Sequence, residues 1–148
     1  MHLLPRGFTV LTQVLRKDAK IELIKRVPLF ERCSKRELEE IASLADELDI
    51  PADRNLTKEG AIGHEFVVLV SGGATVKRDG RTINTLSDGD FLGELALVTG
   101  KPRSATVTTT EPSRLLVITA AAFRRLMRDT PSIQAKVLEA VVSRLPEE

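Results

Sequence analysis

One stretch of this 148-residue chain, Phe91 to Val107, groups residue types that can hold an anion and a hydroxyl group together. Arg103 brings a permanently charged, planar guanidinium that can pair with phosphate oxygens. Glu94 brings a carboxylate, and Gly93 before it allows the backbone to come close to a ligand. The run from Glu94 to Val98 is long enough for about one helical turn, whose first N–H groups attract anions. The stretch therefore predicts a phosphate-binding site.

The region around this stretch has a pattern that is typical of β structure. From Asp49 to Ile118, short apolar or alternating runs are separated by turn residues, as in all-β barrels and sandwiches. Asp79-Gly80 is a strong signal for a two-residue hairpin turn. Strands are predicted at residues 55–57, 66–70, 74–77, 82–86, 105–108 and 115–118. We therefore expect a β scaffold to position the phosphate site.

Helices are predicted ahead of the β region. Apolar residues at helical spacing predict one or two helices over residues 8–27, which Pro28 should end because proline disfavours the helical conformation of the residue before it. Ser34 and Glu37 form a capping box in front of an apolar face. A helix is therefore predicted from Ser34 to Leu48.

Two further helices are predicted after the β region. Thr119 is the expected cap of a helix that runs through Arg128, and Thr130-Pro131 begins the last one. The predicted apolar positions of the last helix are Ile133, Val137, Leu138, Val141, Val142 and Leu145. The same helix carries no aromatic residue that could cover a nucleobase.

Two linked motifs carry a resemblance to a known family. Phe-Leu-Gly-Glu-Leu-Ala-Leu, followed by Pro-Arg-Ser-Ala-Thr-Val, resembles the phosphate-binding cassette of cyclic nucleotide-binding domains, such as those of protein kinase A regulatory subunits and the bacterial catabolite activator. The resemblance implies one α+β domain built on an eight-stranded antiparallel β-roll, jelly-roll-like and flanked by helices. Its parts would be an N-terminal helical segment (1–48), the roll (49–118) with the cassette (91–107), and two C-terminal helices (119–148).

The resemblance also implies roles for the cassette residues. Glu94 would accept a hydrogen bond from the ribose 2′-hydroxyl, and Arg103 would pair with the cyclic phosphate. In the family a threonine after the arginine accompanies cGMP recognition, whereas alanine or serine accompanies cAMP. Ser104 therefore favours cAMP as the ligand and leaves cGMP possible. The predicted ligand-binding set is Gly93, Glu94, Leu95, Ala96, Arg103, Ser104 and Ala105.

Composition and charge argue against several other functions. Lys plus Arg (22) nearly balances Asp plus Glu (21), and Trp and Tyr are absent, so we expect no nucleic-acid partner. No apolar run is long enough to insert into a bilayer. The chain has two histidines, so we expect no metal site, no cofactor and no catalytic residue. The single Cys33 cannot form an internal disulfide and suits the cytoplasm.

Together these observations predict a cytoplasmic cyclic nucleotide sensor without enzymatic activity. Ligand binding would move the C-terminal helices and so affect an unidentified effector protein or domain. The alternative is a β-roll that binds no nucleotide and serves as a protein-interaction domain. A cupin-type enzyme and a DNA-binding regulator fit less well, because the metal ligands and the basic surface that they need are missing from the sequence.

Overall fold

The computed structural model describes residues 10–144 of the backbone and the side chains of residues 17–143. The helices are α1 (Val10–Lys25), α2 (Lys35–Leu44), α3 (Glu94–Thr99), α4 (Ala120–Asp129) and α5 (Pro131–Arg144), and a short 3-10 turn (Pro28–Phe30) separates α1 from α2. The strands are β1 (Asp46–Ile50), β2 (Asn55–Thr57), β3 (Glu65–Ser71), β4 (Ala74–Arg78), β5 (Arg81–Leu86), β6 (Phe91–Leu92), β7 (Thr106–Thr109) and β8 (Ser113–Thr119).

The eight strands of the described chain form two four-stranded antiparallel sheets. One has the order β1-β8-β3-β6, and the other has the order β2-β7-β4-β5. Every recorded strand pairing is antiparallel. Helices lie at both ends of the strand region in the chain. The prediction of an eight-stranded antiparallel β-roll flanked by helices is confirmed.

Strand β3 contributes to two separate hydrophobic cores. Its successive side chains point to opposite faces of the sheet, as in any β-strand. Phe66 and Val68 belong to the core that packs against the helices, and the Phe66 ring lies 4.7 Å from the Phe123 ring of α4. Val67 and Leu69 belong to the core shared with strands of the second sheet. Strand β3 therefore packs against both cores, and it lies between β8 and β6 in its sheet.

The capping box of α2 is present, but the helix is shorter than predicted. The Glu37 amide donates to Ser34 Oγ at 3.1 Å, and the Ser34 amide donates to the Glu37 carboxylate at 2.7 Å. The prediction of helix for residues 45–48 is wrong, because α2 ends at Leu44 and β1 begins at Asp46. All five residues of β1 pair with β8. This long-range pairing outweighs the local helical pattern.

The β4–β5 hairpin has the predicted turn and a distortion that was not predicted. Asp79 and Gly80 both have positive φ angles, 53° and 77°, as a type I′ turn requires. Further along, Val76 faces Asn84 while Lys77 faces Thr82, so Ile83 is an extra residue. A β-bulge therefore interrupts the strand that was predicted at residues 82–86, and it changes the direction of neighbouring side chains.

The C-terminal helices follow the predicted caps. Thr119 Oγ1 accepts from the Ala122 amide at 3.2 Å, and Thr130 precedes Pro131 at the start of α5. Ile133, Val137 and Val141 are buried in the helix-side core, as predicted. Leu138 and Val142 were predicted on the same apolar face, but they are 45% and 71% exposed. Phe8 and Leu145, at the ends of the predicted helices, lie outside the described residues.

Candidate functional site

A cavity of about 290 Å³ lies where the second sheet, α3 and the end of α5 meet. This volume is close to the lower limit of about 300 Å³ for small-molecule sites. The structure brings all seven predicted ligand-binding residues to this cavity. They are Gly93, Glu94, Leu95, Ala96, Arg103, Ser104 and Ala105.

The guanidinium of Arg103 is held inside the protein by two backbone carbonyl groups. Its Nη1 donates to the Gly93 oxygen at 3.0 Å, and its Nη2 donates to the Glu65 oxygen at 2.7 Å. The Arg103 amide also donates to the Ala61 carbonyl at 2.7 Å. With 9% of the residue exposed, the arginine is fixed between the cassette and the loop that precedes β3.

Two glycines make the space that this guanidinium occupies. A Cβ atom at Gly63 would lie 2.6 Å from Arg103 Cζ, which is too close for any real contact. A Cβ atom at Gly93 would lie 2.6 Å from the Glu65 carbonyl oxygen and 2.7 Å from Arg103 Nη1. Gly93 also has a φ of +95°, which disfavours any other residue. Sequence reasoning missed Gly63 and Glu65, because nothing local distinguishes them from ordinary loop and strand residues.

Two carboxylates, those of Glu65 and Glu94, lie close enough to Arg103 to act on its charge. Burial lowers the pKa of Arg103, whereas the nearby Glu65 and Glu94 carboxylates act in the opposite direction. The Arg103 guanidinium nevertheless stays protonated, because arginine does not lose its proton in proteins. Glu94 is 1% exposed, a degree of burial that carboxylates seldom reach unless they are paired. The cavity thus contains a buried cation and a buried anion.

The polypeptide after Arg103 is held by hydrogen bonds to its carbonyl groups. Thr57 Oγ1 donates to the Ala105 oxygen at 3.0 Å, and Arg78 Nε donates to the Ser104 oxygen at 3.0 Å. Ser104 itself is half-buried and lines the cavity. On the other side, α3 begins directly after Gly93, as the cassette pattern predicts. The cassette is therefore fixed at both of its halves.

A second wall of the cavity, which we call the hairpin wall, comes from strands β4 and β5. It consists of Val76, Arg78, Ile83 and Asn84. Consecutive strand residues normally point to opposite faces, so Ile83 and Asn84 would not both line one cavity in a regular strand. The bulge at Ile83 makes this possible. Sequence reasoning missed these residues, and it also missed Ser143, which α5 contributes to the lining.

Within residues 10–144, no helix combines the length and apolarity needed to cross a bilayer. In the same part of the chain, no group of three or more histidine, cysteine, aspartate or glutamate side chains is placed to hold a metal ion. His64, the histidine with a described side chain, is exposed.

Comparison with known proteins identifies the family. Residues 47–130 match the family described as "Cyclic nucleotide-binding domain". This segment is more than half of the chain and contains both halves of the cassette. The chain therefore belongs to the cyclic nucleotide-binding domain family, and the resemblance seen in the sequence is confirmed.

Curated relatives are about one third identical to this chain over the aligned residues. A cyclic nucleotide-gated potassium channel of Rhizobium etli is 31% identical over 123 residues, which cover 83% of this chain and 34% of the channel. The Pycsar effector protein PaPycTIR of Pseudomonas aeruginosa is 34% identical over 142 residues, which cover 95% of this chain and 43% of the effector. The chain thus spans less than half the length of these relatives.

Solved structures share the fold. The regulatory domain of Toxoplasma gondii protein kinase A, crystallised with cAMP, superimposes with a TM-score of 0.76 at 21% identity. The match covers 86% of this chain and 50% of that one. At this level of identity the likeness establishes the β-roll with its flanking helices.

Proposed function

We propose that this chain is a cyclic nucleotide sensor that binds cAMP in the cavity between the cassette and the hairpin wall. The observation that carries the proposal is the placement of Arg103 and Glu94, both buried, on one cavity of suitable size. A cyclic nucleotide needs a cation for its phosphodiester and an acceptor for its ribose hydroxyl. The family membership and the cAMP found with the T. gondii structure support the same ligand class.

Arg103 is suited to bind the cyclic phosphate without a large rearrangement. A guanidinium has five N–H donors, and the bonds to Gly93 and Glu65 use two of them. The remaining donors can pair with phosphate oxygens. The first N–H groups of α3 add further donors, since they have no carbonyl partner within the helix. A buried arginine is strongly attracted to an anion because water screens little of its charge.

Glu94 is suited to select a ribonucleotide. Its carboxylate is a strong acceptor for a hydroxyl donor, and its burial makes a lost hydrogen bond costly. For the base, Ser104 favours cAMP over cGMP by the family pattern, and its position on the cavity is compatible with contact to the ligand. cGMP has the same ribose and cyclic phosphate and differs only in its base, so it is the second candidate ligand.

We further propose that binding is coupled to the C-terminal helices, residues 119–145. Ser143 of α5 lines the cavity, so a ligand there contacts or displaces the end of this helix. Lys136 of α5 donates to the Pro28 carbonyl and, at 2.8 Å, to the Glu31 carboxylate of the N-terminal segment. A ligand that prefers one arrangement of α5 shifts its population and signals to an effector protein or domain. This role is regulatory and cytoplasmic, with no catalytic step.

The alternative is a nucleotide-blind interaction domain, and one observation favours it. Arg103 already joins the cassette to the first residue of β3 through two hydrogen bonds within the protein, to the Gly93 and Glu65 carbonyl groups. An arginine with a purely structural role would form the same two hydrogen bonds.

Titration calorimetry separates the two functions. The protein is titrated with cAMP and cGMP, and the titrations are repeated with Arg103→Gln. We expect Arg103→Gln to bind on the order of a hundredfold more weakly, since it removes a charge and a bidentate donor. Arg114→Gln is the matched control, because Arg114 is an exposed arginine that pairs with Asp49. Circular dichroism checks that each variant is folded. The absence of heat with either nucleotide, from folded unmodified protein, would overturn the proposal.

The single cysteine tests the coupling. Cys33 is half-buried, and burial, followed by the Glu37 charge, raises its pKa to about 11, while Ser132 of α5 acts in the opposite direction. Its alkylation at neutral pH is therefore slow and depends on the position of α5. We expect saturating cAMP to change the alkylation rate severalfold in the unmodified protein and to leave it unchanged in Arg103→Gln. An unchanged rate in cAMP-saturated protein would contradict the coupling.

A further inference from the structure

A second arginine lines the cavity, and the cassette motif does not include it. Arg78, the last residue of β4, is half-buried and belongs to the hairpin wall. Its Nε donates to the Ser104 carbonyl at 3.0 Å, which fixes the guanidinium beside the residue that follows Arg103. This bond uses one of the five N–H donors of the side chain. The two terminal nitrogens remain available for a ligand.

The strand register explains why Arg78, and not the adjacent Lys77, reaches the cavity. Val76 and Arg78 are two residues apart on β4, share one face of the sheet and both line the cavity. Lys77 lies between them and is exposed on the other face. Arg81 pairs with Arg78 across the hairpin, but it is exposed and is not part of the lining. The three basic residues look equivalent in sequence and are separated by the fold.

The charges of the cavity leave a role for a second cation. The charged residues that line it are Glu94, Arg103 and Arg78. Glu94 and the neighbouring Glu65 already act electrostatically on Arg103. A cyclic phosphodiester adds another negative charge, so Arg103 alone would leave the occupied site negative. An excess charge in a partly desolvated site is costly. Two arginines balance one lining carboxylate and one phosphodiester.

We propose that Arg78 is a second ligand-binding arginine, which neutralises the phosphodiester together with Arg103. This inference rests on the proposed function and adds to it a residue outside the cassette. Because the phosphodiester is common to all 3′,5′-cyclic nucleotides, the contribution of Arg78 is independent of the base. The geometry that carries it is the cavity lining and the hydrogen bond that holds the guanidinium next to Ser104.

The test compares two substitutions that differ in charge and can both donate a hydrogen bond. Titrations with cAMP and cGMP are made on Arg78→Gln and Arg78→Lys at low and high NaCl concentration. We expect Arg78→Gln to weaken both nucleotides by about tenfold, the lower end of the effect of one charge-assisted hydrogen bond. Arg78→Lys should stay within about threefold of the unmodified protein because it keeps the charge. The affinity of Arg78→Gln should also depend less on salt.

Arg81→Gln is the matched control, since it removes an exposed arginine from the same hairpin, and we expect its affinity to be unchanged. Thermal denaturation verifies that all variants are folded. Equal affinity of Arg78→Gln and unmodified protein would overturn the inference while the proposed function stands. A loss confined to one nucleotide would also overturn it, because Arg78 would then read the base. Unmodified protein that binds neither nucleotide would refute the proposed function itself, and the inference with it.

Discussion

The two walls of the cavity are built in different ways. The cassette wall presents two buried side chains, Glu94 and Arg103. Backbone carbonyl groups of Gly93 and Glu65 hold the Arg103 guanidinium in place. The hairpin wall presents side chains that are half-buried or exposed, such as Ile83 at 47%. Its shape depends on a strand register and a bulge. The cassette wall is therefore a preformed surface with two buried charged groups, whereas the hairpin wall is more exposed and adds one charged side chain, Arg78.

The largest expected effect comes from disturbing the cassette wall at Gly93. Gly93→Ala places a Cβ atom against the Glu65 carbonyl and the Arg103 guanidinium, and it strains a backbone with positive φ. We expect cyclic nucleotide affinity to fall by a hundredfold or more, equally for cAMP and cGMP. Calorimetry on folded protein measures the effect.

Gly100→Ala is the control for this substitution. Gly100 also has a positive φ, 72°, but a Cβ atom there would meet nothing within 4 Å. The control therefore carries the backbone strain without the displacement of Arg103. If both variants lost the same affinity, backbone strain alone would explain the loss. The position of the Arg103 guanidinium would then not account for it.

An intermediate effect is expected at the ribose. We expect 2′-deoxy-cAMP to bind the unmodified protein about tenfold more weakly than cAMP, because the buried Glu94 carboxylate loses a hydrogen bond. Glu94→Ala should remove the difference between the two nucleotides. The measurement is a pair of titrations on each protein. Equal affinity of both nucleotides for the unmodified protein would assign Glu94 another role.

The smallest expected effect comes from Asn84, an uncharged residue of the hairpin wall. Asn84→Ala removes a polar side chain that lines the cavity, and its amide oxygen accepts from the Thr85 amide at 2.8 Å. We expect a change of about threefold or less, because the position is exposed, and we expect the change to differ between cAMP and cGMP. Thr82→Ala, on the same strand outside the cavity lining, is the control. A large, base-independent loss at Asn84 would remove the distinction between the walls.

The features predicted correctly from the sequence are those that a few neighbouring residues determine. The capping box at Ser34 and Glu37, and the Asp79-Gly80 turn, need only local backbone geometry. The cassette motif is also continuous, and the structure brings its seven residues together on one cavity.

The features that were missed depend on pairing between distant segments. Residues 45–48 have a helical pattern, yet five residues from Asp46 onward pair with β8 instead. The bulge at Ile83 becomes visible when β4 and β5 are aligned, so the hairpin wall could not be predicted. The backbone carbonyl of Glu65 accepts a hydrogen bond from Arg103. Every residue has such a carbonyl group, so the residue type does not reveal this contact.

Gly63 has a consequence for reading related sequences. It lies well before the cassette, in a loop that no cassette motif describes, yet its missing side chain is part of the space for Arg103. A related protein with alanine at position 63 would keep every residue of the cassette motif, but the Arg103 guanidinium would have to shift. If Arg103 binds the phosphate as we propose, such a protein would match the family motif and still bind cyclic nucleotides more weakly. The proposed binding site therefore depends on a residue outside the cassette motif.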